Sequence, residues 1–379
     1  MREKTLMPLE IYVHIPFCIR KCDYCDFLSG PGDRTRQEAY IKALLHEIRS
    51  LPHIPNHEVV SLFFGGGTPS LLDACLIEEI ISNLKEKFLF SPEAEISLEA
   101  NPGTLMKEKL KVYRKAGVNR LSIGLQSADN EELNALGRIH TFEEFLEGYF
   151  LAREEGFFNI NVDLMCAIPG QSYEGWIRNL RTAAELKPEH ISAYSLIIEE
   201  GTPFAQRKLE LPDEDTEYRM YEDTEKVLRE YGFHQYEISN YAKNGFECLH
   251  NLGYWKRTEY LGLGLGAASL LAGMRFSNTR DMEEYLACSR NAEQIRKDVQ
   301  LLTKREEMEE FMFLGLRMTK GIREGDFMAC FGVSLRERYG AVLDKYRKTG
   351  FMEYEDGYWR FTRKGIHVSN VILAEFLAE

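Results

Sequence analysis

Hydrophobic residues along this chain follow two alternating rhythms. Short apolar runs of strand length lie near residues 9–14, 59–64, 95–99, 119–123, 159–164 and 190–196. Between them, apolar positions recur every three to four residues over 36–50, 73–88, 104–116, 129–155 and 173–186, which predicts amphipathic helices, two of them in the fourth stretch. Local signals agree with these limits. Asp73 and Thr141 are N-cap candidates, and Glu144 three residues after Thr141 completes a capping-box pattern. Gly117 and Gly156 follow helical stretches where a left-handed residue is expected. Six successive strand–helix units predict a parallel sheet covered by helices.

The rhythm changes after residue 210. Tyr260-Leu-Gly-Leu-Gly-Leu-Gly-Ala267 reads as a strand and turn that close the open side of a barrel. As a dinucleotide fingerprint it lacks the acid expected ~20 residues on, and Asp281 reads equally as a helix cap. From residue 301 the pattern is helical over 304–316, 323–330 and 334–348. A hairpin follows over 351–361, turning at Asp356-Gly357, and then a final helix to the end. Helices plus a hairpin predict a winged-helix-like α+β unit. The chain thus divides into residues 1–210, a connecting and barrel-closing segment 211–300, and residues 301–379.

Composition narrows the class. At 379 residues, with 44% hydrophobic and 28% charged positions, the chain is a globular protein large enough for two domains. No apolar run approaches ~18 residues, so no membrane-spanning helix is expected. The opening residues lack the apolar core of an export signal, and eight dispersed cysteines do not resemble a disulfide framework, which points to the cytoplasm. The net charge of −13 argues against general nucleic-acid binding. Residues 301–379 hold 13 Lys/Arg and 13 Asp/Glu, so the winged-helix-like unit reads as a lid or docking surface, not a DNA reader.

Candidate chemistry lies just after the strands, where parallel barrels build their reactive face. Strand one runs into Cys18, Cys22 and Cys25, spaced C-x3-C-x2-C on one loop. Three thiolates there can hold three irons of a [4Fe–4S] cluster and leave the fourth iron open; the alternative is a Cys3His zinc site using His14 or His140. Strand two runs into Gly65-Gly66-Gly67-Thr68-Pro69, where backbone can approach a ligand closely or simply turn. Glu99 and Asp163 are strand-end carboxylates able to accept from ribose hydroxyls or an ammonium group, or to serve as caps and ion-pair partners. Gly124-Leu-Gln126-Ser127 follows strand four. Arg138 offers a planar fork to a ligand carboxylate or to a surface ion pair. Tyr24 can lie against a flat ring or pack over the cysteine loop.

These motifs, in this order, resemble the radical S-adenosylmethionine (radical SAM) superfamily. Tyr12-Val-His-Ile-Pro-Phe-Cys18, Glu99-Ala-Asn-Pro-Gly-Thr104, Gly124-Leu-Gln-Ser127, Gly137-Arg-Ile-His140 and Asn161-Val-Asp-Leu-Met165 resemble, more narrowly, the oxygen-independent coproporphyrinogen III oxidase family and its heme-chaperone branch, HemW. The resemblance implies a partial, open (β/α)6 TIM-type barrel with a C-terminal winged-helix-like domain. It implies that the three cysteines bind the cluster and that the open iron takes the amino and carboxylate groups of S-adenosylmethionine. An electron from the reduced cluster then splits the sulfonium into methionine and a 5′-deoxyadenosyl radical. By matching motif, Tyr12, Tyr24, Gly66, Gly67, Thr68, Glu99, Gln126, Arg138 and Asp163 would contact the nucleoside or methionine part.

The branch is read from two places. The oxidase pattern carries a further Cys one residue past the third, whereas here Asp26-Phe27 follows Cys25. Tyr236-Glu-Ile-Ser-Asn240 and His250-Asn-Leu-Gly-Tyr-Trp255 resemble the chaperone branch, in which HNxxYW is associated with heme. His250 could ligate heme iron, with Tyr254 and Trp255 against the macrocycle; alternatively His250 caps a turn and the aromatics fill the core. Two expectations result: a heme chaperone that passes heme cargo to acceptor hemoproteins such as respiratory cytochromes, or a radical SAM oxidoreductase acting on a tetrapyrrole. Either needs an electron donor to use the cluster, and a homodimer stays open.

Overall fold

The computed structural model describes residues 6–377. The expectation of no export signal rests largely on Met1–Thr5, which lie outside the described residues, as do the last two positions of the expected final helix.

Six strands form the parallel centre: β1 (Met7–Ile15), β2 (His57–Gly66), β3 (Phe90–Ala100), β4 (Arg120–Gln126), β5 (Ile160–Cys166) and β6 (His190–Ser195). They alternate with α1 (Arg34–Ser50), α2 (Ala74–Lys87), α3 (Lys107–Ala116), the pair α4 (Asn130–Ala135) and α5 (Phe142–Glu154), and α6 (Tyr173–Glu185). Alternation along each strand sorts two environments. Leu9, Ile11 and Val13, Ile96 and Leu98, Leu121 and Ile123, and Ile160 and Val162 belong to the buried apolar core shared with the helices. The residues between them, among them Ser97 and Glu99, Ser122, and Asn161 and Asp163, point by the period-2 rule to the opposite face, the lumen.

The rest of the chain extends the sheet. After α7 (Glu214–Glu230), the short strands β7 (His234–Gln235) and β8 (Asn240–Ala242) join antiparallel beyond β6. Helix α8 (Leu249–Trp255) then leads to β9 (Glu259–Leu263), which lies parallel on the far side of β1. Next come β10 (Ala268–Leu271), β11 (Met274–Asn278) and β12 (Arg296–Leu301), all antiparallel. The order β12-β11-β10-β9-β1-β2-β3-β4-β5-β6-β8-β7 is a linear, open 12-stranded sheet. The barrel-closing role expected for the second glycine stretch is therefore corrected: it adds strands to one edge, and the two ends of the sheet do not meet. Its glycines serve close approach instead. Gly266 (φ +66°) lies so near the cysteine loop that a Cβ would sit 2.6 Å from Leu28 Cδ2.

The capping box at Thr141 forms, and Gly117 (φ +108°) ends α3 in the left-handed region. Asp281 caps a helix over Met282–Cys288. Asp73 does not cap α2 with its side chain; its carboxylate pairs with Arg34 at 3.1 Å. Helix α3 begins at Lys107, because Thr104 hydrogen-bonds Ser70 and the Asn101 carbonyl in a loop.

The C-terminal unit has a separate core around Met312, Ile322, Phe327, Leu343 and Trp359. Helices Lys304–Gly315, Glu324–Phe331 and Leu335–Lys348 pack with a three-stranded sheet of β13 (Ile322–Arg323), β14 (Met352–Glu355) and β15 (Tyr358–Phe361), in the order β13-β15-β14. The expected final helix is two short ones, Arg363–His367 and Ser369–Ala374, because the chain leaves helical geometry at Val368 (φ −111°, ψ 16°). Arg257 to Glu310 (3.0 Å) and Arg363 to Glu225 (2.6 Å) tie this unit to the rest.

Candidate active site

The strand ends converge on one cavity of about 340 Å³. It gathers ten of the residues singled out from the sequence: Cys18, Cys22, Cys25, Tyr24, Gly66, Gly67, Glu99, Gln126, Arg138 and Asp163. Strand register places them. Gly65 and Gly66 lie opposite His14 and Ile15, Glu99 opposite Ser122, and Gly124 opposite Asp163.

The cysteine loop is tied at both ends. Cys18 N–H donates to the Gly30 carbonyl at 3.0 Å, and Cys25 N–H to the Cys22 carbonyl at 3.2 Å. All three thiols are partly exposed and unpaired. Donors already face two of the sulfurs: Thr68 Oγ1 lies 3.7 Å from Cys18 Sγ, and Arg138 Nη1 lies 3.4 Å from Cys22 Sγ. Arg138 is not a surface ion pair. Its Nη2 donates to Asn101 Oδ1 (2.8 Å) and to the Gly124 carbonyl (2.9 Å), which fixes the guanidinium between sulfur and strand end.

The glycine run makes room. Gly66 has φ +112° and a Cβ there would meet His14 at 2.5 Å; one on Gly67 would sit 2.6 Å from the Phe17 carbonyl. Their N–H groups are already used, Gly66 on Glu99 Oε2 (3.1 Å) and Gly67 on the Ile15 carbonyl (2.8 Å). What they offer the cavity is a wall without side chains. Gln126 stands at φ +72°, unusual for a non-glycine residue, at a register shift in β4, and its Oε1 accepts from Tyr194 at 2.9 Å.

Two carboxyls face one another's field. Burial, and then the negative charge of Asp163, push Glu99 up to about 8, against the opposing pull of the Gly66 N–H and of Arg120. Burial also raises Asp163, which its hydrogen bonds from Ser192, Asn161 (2.7 Å) and Ser122 partly offset.

Several lumen residues were not anticipated as site residues: Arg120, Ser122, Ser192, Tyr194 and Asn240 also line the cavity. Arg120 is almost fully buried, 4.0 Å from Glu95, with its Nε unpartnered. The signal for the first four was period-2 spacing: Arg120, Ser122, Gly124 and Gln126 are alternate residues of β4, as are Ser192 and Tyr194 of β6, whereas Asn240 lies on the three-residue β8.

Other expected residues lie elsewhere. Thr68 is behind Cys18 and accepts from Asn101 Nδ2 at 2.8 Å. Tyr12 faces a second cavity, its hydroxyl 3.1 Å from His14 Nδ1. His250 is 2% exposed, with Nδ1 2.7 Å from Ser61 Oγ and Nε2 3.3 Å from the Tyr254 hydroxyl, so both ring nitrogens are engaged within the chain. Burial holds its imidazole down to about 3, and so neutral. Tyr254 reaches the second cavity, whereas Trp255 lies under the Arg317 guanidinium, 5.0 Å from its ring centre. The histidines of the zinc alternative are likewise engaged, His14 Nε2 with the Leu28 carbonyl (2.8 Å) and His140 Nε2 with the Leu125 carbonyl (3.2 Å), and neither lines the cysteine cavity.

Known proteins share this arrangement. Residues 12–183 match the radical SAM superfamily, and residues 302–368 match the HemN C-terminal domain. In the solved structures, coproporphyrinogen III oxidase (HemN) from Escherichia coli, a radical SAM enzyme, superposes with a TM-score of 0.85 at 25% identity, covering 98% of this chain and 90% of that one. The heme chaperone HemW of Lactococcus lactis is 35% identical over 98% of both chains, and that of Escherichia coli 36% identical over 99% of both. This chain belongs to the HemW family, within the radical SAM superfamily. Membership implies a [4Fe–4S] cluster and S-adenosylmethionine. The residues present in this HemW-family chain fit such a group. Each cluster thiolate binds its own iron, so the sulfurs need to line one wall and not to meet at a point. Among the described residues no three ligands are drawn into a single-ion site, while the three thiols border one cavity with hydrogen-bond donors on two of them. No helix among the described residues is long and apolar enough to cross a membrane.

Proposed function

We propose that this chain is a heme chaperone built on a radical SAM scaffold, acting in the cytoplasm and passing heme to acceptor hemoproteins such as respiratory cytochromes. The observation that carries this reading is identity of 35–36% to heme chaperones over essentially the full length of both proteins. Asp26-Phe27 in place of the oxidase's fourth Cys supports it.

In this reading Cys18, Cys22 and Cys25 hold the cluster, which when bound supplies one electron for cleaving S-adenosylmethionine. Tyr24, Gly66, Gly67, Glu99, Gln126, Arg138 and Asp163 bind and orient that cofactor. The side-chain-free wall at Gly66 and Gly67 admits it, and Glu99 and Asp163 accept its hydroxyl or ammonium hydrogens. Arg138 holds negative charge beside Cys22, and Thr68 and Tyr12 support the wall from behind. The open sheet leaves the lumen accessible from the side, which suits a bulky cargo.

The second reading is a radical SAM oxidoreductase acting on a tetrapyrrole, favoured by the superposition on HemN. Incubating the reconstituted, reduced protein anaerobically with S-adenosylmethionine and either coproporphyrinogen III or heme separates the two. Tight heme binding without decarboxylation is expected. Conversion to protoporphyrinogen with stoichiometric 5′-deoxyadenosine would sink the chaperone reading.

A further inference from the structure

A second cavity, also of about 340 Å³, lies behind the cysteine loop. Its walls are the loop itself (Asp26, Phe27), the lumen-facing side of β1 (Tyr12), Tyr254 of α8, Tyr260 of β9 and Arg280 after β11. Phe27 lines both cavities and is 63% exposed, so it forms the partition between them.

Three properties point to a ligand. The walls are aromatic: Tyr254 and Tyr260 pack edge to face with ring centres 4.7 Å apart, and Phe27 stands free across from them. Exposed aromatic surface in a concave setting is costly to leave in water and suits a flat apolar ring. At the rim, Arg280 makes no hydrogen bond or ion pair among the described residues, and its charge is felt within the cavity by His14. A free guanidinium beside an apolar slot suits a planar ligand that ends in a carboxylate. The walls are also held in place. Tyr40 donates to the His14 carbonyl (2.7 Å) and accepts from Leu265 N–H (2.9 Å), and Glu47 accepts from Gly264 N–H (2.9 Å), fixing the glycine turn that forms one side.

We infer that this second cavity is the docking site of a dianionic tetrapyrrole, its ring edge inserted between Phe27 and the Tyr254–Tyr260 pair and one propionate paired with Arg280. The inference rests on the heme reading above and gives it a place. The first cavity cannot serve both ligands, since each needs on the order of several hundred Å³. At about 340 Å³ the second holds only part of the macrocycle, leaving an edge in solvent for an acceptor to take.

The test uses the full chain with its cluster reconstituted, titrated anaerobically with hemin and, in parallel, with hemin dimethyl ester, and followed by Soret absorbance. Arg280→Ala is expected to weaken hemin binding about tenfold, Arg280→Glu more, and Arg280→Lys to restore most of it. The ester should bind the wild-type and Arg280→Ala chains equally. Ala268→Trp, which fills the cavity from an exposed wall position, should abolish binding of both ligands while the cluster absorbance persists. Hemin binding that is tight in the wild-type chain and unchanged in Arg280→Glu and Ala268→Trp overturns the site. Absence of hemin binding in the wild-type chain overturns the heme reading itself.

Discussion

Single residues carry the chemistry through their protonation. Glu99, held near 8, is largely protonated at neutral pH in the free protein. If it accepts hydrogens from S-adenosylmethionine as a carboxylate, binding must release up to one proton below that pH. Affinity is therefore expected to rise with pH and level off above about 8, and Glu99→Gln to remove the slope while weakening binding about tenfold. Calorimetry in two buffers of different ionisation enthalpy measures the released proton directly. Glu10 makes the same argument for stability. Burial and the nearby Glu95 push it up to about 9, and its Oε2 accepts no hydrogen bond, with only the neutral His250 ring 3.8 Å away. The folded state keeps a proton that the unfolded chain loses above its ordinary 4.5, so stability falls as pH rises between 4.5 and about 9. Glu10→Gln should be more stable than wild type by an amount growing across that window to on the order of a few kcal/mol, read from unfolding at pH 6 and pH 9. The cluster cysteines were legible because thiols are rarely clustered for packing. Arg120 and Ser122 were not, since an isolated polar residue in an apolar run looks like noise until neighbouring strands show the same alternation.

Elements are placed by close approach as much as by hydrophobic burial. In α8, Gly253 faces the Glu10 carboxylate so closely that a Cβ would overlap it. Gly253→Ala should cost on the order of 1–3 kcal/mol by pushing the helix off β1, whereas Gly340→Ala, in an open helix interior, should gain up to about 1 kcal/mol. Thermal unfolding of the two variants gives opposite shifts. The parallel strands and their helices were readable from periodicity, because each buries one apolar face over five or more residues. Strands β7, β8 and β10 to β12 were not. They are short or, like β12 with Val299 and Leu301 exposed, lie at an edge where no core dictates the pattern. His250 shows the same limit: its motif drew attention to it, but only the fold shows Ser61 and Tyr254 taking both ring nitrogens.

At the scale of the whole molecule, two cores divide the labour. The sheet and its helices form one, and the C-terminal unit forms its own, clamped by Glu310 and by the Glu222–Glu225 pair on α7. Arg363→Glu should loosen that clamp without unfolding either core. Amide exchange should then quicken in 302–368 and α7 while β1 to β5 stay protected. The sheet has a further property. A closed barrel has a circumference set by strand number and stagger, and its bore cannot change without breaking hydrogen bonds. A linear sheet of twelve strands has no such constraint, so its curvature is a soft coordinate. The width of the lumen is then set by its contents. A loaded molecule should be measurably more tightly rolled than an empty one, with every backbone ladder intact in both.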